Sequence, residues 1–390
     1  MELVPSETVL LVRTADASEL LQRLSQTNTG RLLGDEQMAA FVEAWGQQLE
    51  AAYNERLRDS LGIELTEIGD LLQGEVAFAL VERVGQSPAA ALLVDLGDRA
   101  ASASQIVDRL KEQAADASRV VTSEQLRNDA ATVFRRGNDQ DRLIAVVERG
   151  STFLLATDRD VLQSMLDRWD ALPTEATGET TAFDGDEQPV PARFASLLAS
   201  SPAFRDSLRE CVAEQEEPPQ VILFVDPVGL IRATVGQQTP VRLALAAFPA
   251  LGLDGIEGAA AAIWLATDKW DSLTRGHLLL DNPRAGVLKI ARLEPGDPTP
   301  PPHVPADAET VITAHADPNR LFADIERLVD RFRFDGSFQQ SVDENVSEAW
   351  GVDFAEEVVA NLAGNVCVVG AFDEDQTDIN KRFAVGLKTR

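Results

Sequence analysis

The chain has only two cysteines in 390 residues, Cys211 and Cys367. So few exclude a disulfide framework. Cys211 falls in a helical pattern and Cys367 in a strand pattern of a different repeat, so two separate buried thiols are expected, with a single bridge as the alternative. Histidine is also scarce: His277, His303 and His315, none with another histidine three or four residues away. That spacing excludes a zinc site of the usual kind. No Gly-x-Ser-x-Gly elbow is present to place any of them in a serine-hydrolase triad. The sequence has no Walker-type phosphate loop and no Gly-x-Gly-x-x-Gly motif, and the pair Gly255 and Gly258 reads as a turn. No cofactor is expected. Long apolar runs are missing, so no transmembrane segment is expected. Basic residues are few: 35 Lys and Arg against 64 Asp and Glu, a net charge of -29. Without clustered cations the chain is not expected to bind nucleic acid or an anionic membrane.

What is present is an ordinary globular composition, 44% hydrophobic and 25% charged, in a length that suggests two or three domains with real cores. The acidity serves solubility; a cationic partner, diffuse calcium binding or a salty habitat are the sharper alternatives. Two acidic clusters lie in loop patterns, Asp184-Gly185-Asp186-Glu187 and Asp373-Glu374-Asp375 with Asp378. They make Asp184, Asp186, Asp373, Asp375 and Asp378 the calcium candidates, because hard cations take several oxygens from a short loop. Neither cluster has EF-hand spacing, and solvated loops are the plainer reading.

Internal similarity organises the chain. The opening Val4-Pro5-Ser6-Glu7-Thr8-Val9-Leu10 runs into Asp16, and Val304-Pro305-Ala306-Asp307-Ala308-Glu309-Thr310-Val311-Ile312 runs into Asp317. A weaker copy runs from Gln220 to Asp226. In each, a short apolar strand leads into a helix. Asp16 precedes Glu19 at capping-box spacing, and Asp226 and Asp317 precede Pro227 and Pro318, so all three aspartates are expected as helix caps and not as catalytic acids. Met38, Phe41, Val42, Trp45, Leu49 and Tyr53 form one helical face; Leu321, Phe322, Ile325, Leu328, Val329 and Phe332 form another, and both are expected as core stripes. Later in each copy a glycine starts a hairpin, at Gly74 and Gly364, with a compressed version near Gly258. Gly62 and Gly351 are expected as helix C-caps with positive φ. Short hairpin strands favour antiparallel pairing. The expected fold is therefore α+β, antiparallel sheets packed with helices, built from a degenerate strand-helix-helix-hairpin repeat.

The expected segments are a first unit at 1–171, an acidic linker at 172–192, a compressed second unit at 193–293, a proline-rich and stiff linker at 294–305, and a third unit at 306–390. The third copy ends just after its hairpin, as a truncated repeat or a piece of a longer chain would. Met1 to Pro5 lack the basic and apolar regions of a signal peptide. The abrupt start fits a mature exported domain after removal of a leader, and equally a cytoplasmic protein.

The proline-rich run into Val304-Pro305-Ala306-Asp307-Ala308, the Asp317-Pro318 helix start, Leu251-Gly252-Leu253-Asp254-Gly255, Arg284-Ala285-Gly286-Val287-Leu288, Ser200-Ser201-Pro202-Ala203-Phe204, the opening Pro5-x-x-Thr8 strand and the Gly74-Glu75 hairpin together resemble repetitive bacterial proteins of a domain-of-unknown-function family, number three-three-five-two. The resemblance implies an exported or envelope-associated location and no catalytic residue. A non-enzymatic binding or scaffold protein of the envelope or periplasm is therefore expected, with a protein, lipid or glycan partner. The alternatives are a hydrolase using paired carboxylates, for which 64 acids select no pair, and a structural domain of a longer chain.

Overall fold

The computed structural model describes residues 3–53, 73–99, 107–108, 111, 119–136, 143–171, 198–236, 238–292, 294–297, 299–302, 304–306, 308, 310–372 and 381–389. Its fold is α+β with antiparallel sheets. The chain divides into two compact units, residues 1–245 with 256–280 and residues 246–255 with 281–390.

In order, the elements of the first unit are β1 (Thr8–Thr14), α1 (Ala17–Gln26), α2 (Asn28–Leu33), α3 (Ala39–Tyr53), β2 (Val76–Val81), β3 (Ala89–Asp95), β4 (Arg119–Leu126), β5 (Asp129–Arg136), β6 (Leu143–Arg149), β7 (Thr152–Ala156), α4 (Arg159–Ala171), α5 (Pro202–Val212), β8 (Val221–Val225), α6 (Pro227–Val235), most of α7 (Thr239–Leu251), β9 (Ile256–Leu265) and β10 (Ser272–Leu280). The ten strands form one sheet in the order β10-β9-β8-β1-β2-β3-β7-β6-β5-β4. The second unit holds the end of α7, α8 (Gly286–Ile290), β11 (Thr310–His315), α9 (Pro318–Phe332), α10 (Ser337–Val342), β12 (Leu362–Phe372) and β13 (Lys381–Thr389), with the sheet order β11-β12-β13. The segments expected at 1–171 and 193–293 thus share one sheet: β1 and β8 pair antiparallel, Leu11 opposite Phe224 and Val12 opposite Leu223. Three lead strands, β1, β8 and β11, each pair antiparallel with the first strand of the hairpin that follows their helices.

The aspartates cap as their spacing requires. Asp16 Oδ1 accepts the Glu19 N–H at 2.8 Å, Asp226 Oδ1 accepts that of Gly229 at 2.8 Å, and Asp317 Oδ1 accepts those of Asn319 at 3.0 Å and Arg320 at 3.2 Å. Each cap contributes about 1 kcal/mol. Gly351 follows a helical turn at φ +70°; Gly62 lies outside the described residues.

The core of the first unit is one face of its sheet. Cross-strand register lines up Ala260, Phe224, Leu11, Ala79, Ala91, Ala156, Ala145 and Val133 in a single row, all buried. Period-two alternation puts this row and its neighbours on one side. Most of the row is alanine, which lets bulky helix residues approach closely: Leu162, Met165 and Leu166 of α4, and Phe204 and Leu208 of α5, are buried in the same core. Phe204 meets Phe224 edge to face at 5.2 Å, and the Cys211 thiol donates to Ala260 O at 3.3 Å. Trp264 is buried and donates its indole N–H to Glu217 O at 2.8 Å. Both cysteines are buried and free.

One expectation changes. The α3 stripe is not a core stripe along its length, because Phe41 is 57% and Trp45 56% exposed. Periodicity fixes which residues share a face, not what lies opposite that face. The proline-rich stretch from residue 294 is tied down where it begins. Glu294 donates its N–H to His315 O at 2.7 Å, the His315 ring contacts Asp297 O at 3.0 Å, and Arg320 binds the Glu294 carboxylate at 2.7 Å. Only the first of these bonds uses a backbone N–H, that of Glu294, a group that Pro295 beside it lacks. The expected linker at 172–192 lies outside the described residues. Among the described residues, no helix is long and apolar enough to cross a membrane.

Candidate functional site: an apolar groove beside α9

The expected cation ligands Asp184, Asp186, Asp373, Asp375 and Asp378 all lie outside the described residues. Among the described residues, no group of three or more His, Cys, Asp or Glu could hold a metal. His277 sits mid-strand in β10 opposite Ala260, and His303 lies outside the described residues.

The second unit contains a concavity instead. After Asp317 and Pro318 start α9, its apolar residues recur at helical spacing. Leu328, Val329 and Phe332 line an open groove of about 420 Å³, with Phe338 and Ser341 of α10, Leu251 at the end of α7, and Arg333. The stripe expected as core therefore lines this groove at its C-terminal end, where Phe332 is 51% exposed.

Local chemistry fixes the groove walls. The turn from α9 to α10 passes through Gly336 at φ +83°, a region that favours glycine. The Asp330 carboxylate accepts the N–H groups of Gly336 at 2.7 Å and Phe338 at 2.9 Å and the Ser337 hydroxyl at 3.0 Å. These bonds, that from Phe338 foremost, hold the Asp330 carboxyl below its ordinary value. Phe338 then stacks edge to face on Phe322 at 5.1 Å, Phe322 meets Phe354 at 6.4 Å, and Phe354 meets the exposed Trp350 at 5.7 Å. On the other wall, Gly252 (φ +73°) and Gly286 (φ +51°) allow two loops to touch. A Cβ on Gly286 would lie 2.0 Å from Leu251 O. Arg331 adds a bond from its guanidinium to Ala250 O at 3.2 Å.

The charges near the groove are unequal. Asp324, on α9, has a side chain only 2% exposed, and its Oδ1 binds Lys289 at 3.0 Å and Arg327 at 2.6 Å. Arg333 makes no ion pair among the described residues. Other arginines are matched with acids, as Arg135 with Glu124 at 2.5 Å and Arg149 with Asp170 at 2.8 Å, whereas Arg31 and Arg331, like Arg333, bond no acid among the described residues.

Each carboxylate with a displaced pKa among the described residues is displaced downward. Glu124 is lowered by the Arg135 hydrogen bond and Asp297 by that of Thr299. At Glu75, burial pushes upward, and cationic neighbours, Arg13 at 2.5 Å among them, outweigh it. A general acid requires the opposite displacement. Burial pushes the Cys211 thiol up, away from the thiolate.

The groove carried little signal in the sequence. The α9 stripe was visible, but Phe338 and Arg333 reach the site through the Asp330 turn. The one available clue was Asp330 six residues before Gly336-Ser337, a carboxylate placed to cap the next helix from a distance. The chain matches no protein-family model, no curated protein and no solved structure.

Proposed function

We propose that the protein is a non-enzymatic binding protein of the bacterial cell envelope or periplasm, built on a degenerate strand-helix-helix-hairpin repeat, and that its last copy takes an apolar ligand beside α9. The observation that carries this reading is the open groove of about 420 Å³ with a half-exposed phenylalanine in it. Pockets of this size lined by apolar side chains with few polar groups suit ligand binding. The recurrent pairing of a lead strand with its following hairpin supports the repeat.

The test is binding of the uncharged, environment-sensitive dye Nile red. Wild-type protein is expected to enhance its fluorescence, and Leu328→Asp to abolish the enhancement while the circular dichroism spectrum stays native. Phe332→Ser, at a half-exposed position, serves as the second variant and should weaken the dye several-fold. Unchanged dye binding in both variants would sink the groove as the site. Fractionation of cells making the natural full-length protein tests the envelope location.

A further inference from the structure

The groove is lined mostly by apolar side chains, with the Arg333 guanidinium among them and that of Arg331 bonded to Ala250 O on its wall. Leu328, Val329, Phe332 and Phe338 supply the apolar surface, and Arg333 is the charged residue among those that line it. Arg333 makes no ion pair among the described residues, in a chain with 64 acids against 35 bases. An acidic surface repels most anions, so an arginine without an ion pair beside apolar side chains favours an anion that also buries hydrocarbon. The groove's size sets the class of ligand. A stable protein interface engages about 20–30 residues a side, whereas this groove is formed by seven and has the volume of a small-molecule site.

We infer that the groove binds a single-chain anionic amphiphile, its hydrocarbon chain along Leu328, Phe332 and Phe338 and its carboxylate on Arg333. The inference rests on the proposed groove and adds the ligand's chemistry. The guanidinium offers paired N–H donors that match a carboxylate. It is exposed, so the charge contributes modest selectivity while the hydrocarbon supplies most of the affinity.

The test is displacement of Nile red from the full chain by dodecanoate, by uncharged dodecanol and by cationic dodecyltrimethylammonium, below their micelle concentrations and at about pH 8, where the carboxylate is ionised. Dodecanoate is expected to displace the dye at about fivefold lower concentration than dodecanol, and dodecyltrimethylammonium to be the weakest. Arg333→Gln should erase the preference for dodecanoate and leave dodecanol unchanged. Equal displacement by dodecanoate and dodecanol, or a preference that survives Arg333→Gln, would overturn the inference while leaving the groove intact. So would a failure of every amphiphile to displace dye that Leu328→Asp still abolishes, an outcome that points to a peptide ligand. Dye binding indifferent to Leu328→Asp would remove the groove itself.

Discussion

The two units arrange similar elements under different cover. In the first, the sheet's alanine-rich row is sealed by α4 and α5, and Leu11, Ala145, Ala156 and Phe204 are fully buried. In the second, the register places Ile312, Val368 and Val385 in one row and Val366 with Leu387 in the next, on one face of the three-stranded sheet. Ile312 and Leu387 on that face are more than half exposed, whereas Cys367, on the opposite face, is buried. A lead strand and a hairpin define a sheet in both units. What makes a sealed core is helices laid across the apolar face, and small side chains that let them approach.

The sharpest way to break this comparison is to cut one aromatic from each unit. Phe204→Ala removes a buried ring packed on Phe224, leaves a cavity, and should cost about 3–5 kcal/mol. Phe332→Ala removes a ring that is half in solvent and should change stability by about 0.5 kcal/mol or less. Urea unfolding followed by far-ultraviolet circular dichroism measures both. Similar losses in the two variants would mean that the groove is as much a core as the alanine row.

A smaller effect should separate the units by their thiols. Cys211 lies in the first and Cys367 in the second, both buried and free. Each reacts with a thiol reagent only when its own unit opens. Gly286→Ala forces a Cβ to within 2.0 Å of Leu251 O at a positive φ and should destabilise the second unit by about 1–3 kcal/mol. Labelling of Cys367 is expected to accelerate by about 5- to 150-fold, with Cys211 unchanged. Equal acceleration at both thiols would show that the units open together.

Much of this fold was legible because its signals are local. The apolar strand at Thr8, and aspartate before proline at 226 and 317, depend on neighbours in sequence, and the observed elements start where those signals lie. Less legible was everything decided by what packs opposite. The stripe through Phe41 and Trp45 has the period of a core helix, yet those two residues face solvent. β1 and β8 carry no mark that they pair with each other and merge two expected segments into one sheet. The groove needs Arg333, Phe338 and Leu251 to converge from separate elements, and its shape depends on a carboxylate that caps a helix beginning seven residues away. Asp324, a carboxylate buried in a mostly apolar helix face, shows the same limit, since its partner Lys289 lies in a preceding element.

The smallest expected effect concerns Asp330 and refines the comparison within the second unit. Its carboxyl is held below the ordinary range by the Phe338 and Gly336 N–H groups. A depressed folded-state pKa means that the clamp is fully present above the unfolded value, about 3.9, and is lost as pH falls through the folded one. The protonated acid accepts such bonds poorly, so the α9–α10 turn should loosen and Phe338 should leave the groove wall. Nile red enhancement by the wild type should therefore fall as pH drops below about 4, with Trp350 emission, coupled through Phe354 and Phe322, changing in parallel. Asp330→Asn keeps an acceptor oxygen but no charge. It should bind the dye somewhat more weakly at neutral pH and lose the acid-side step. A step of equal size in Asp330→Asn would assign it to other carboxylates, and would mean that the groove wall is held by the aromatic contacts from Phe338 to Trp350 without the Asp330 clamp.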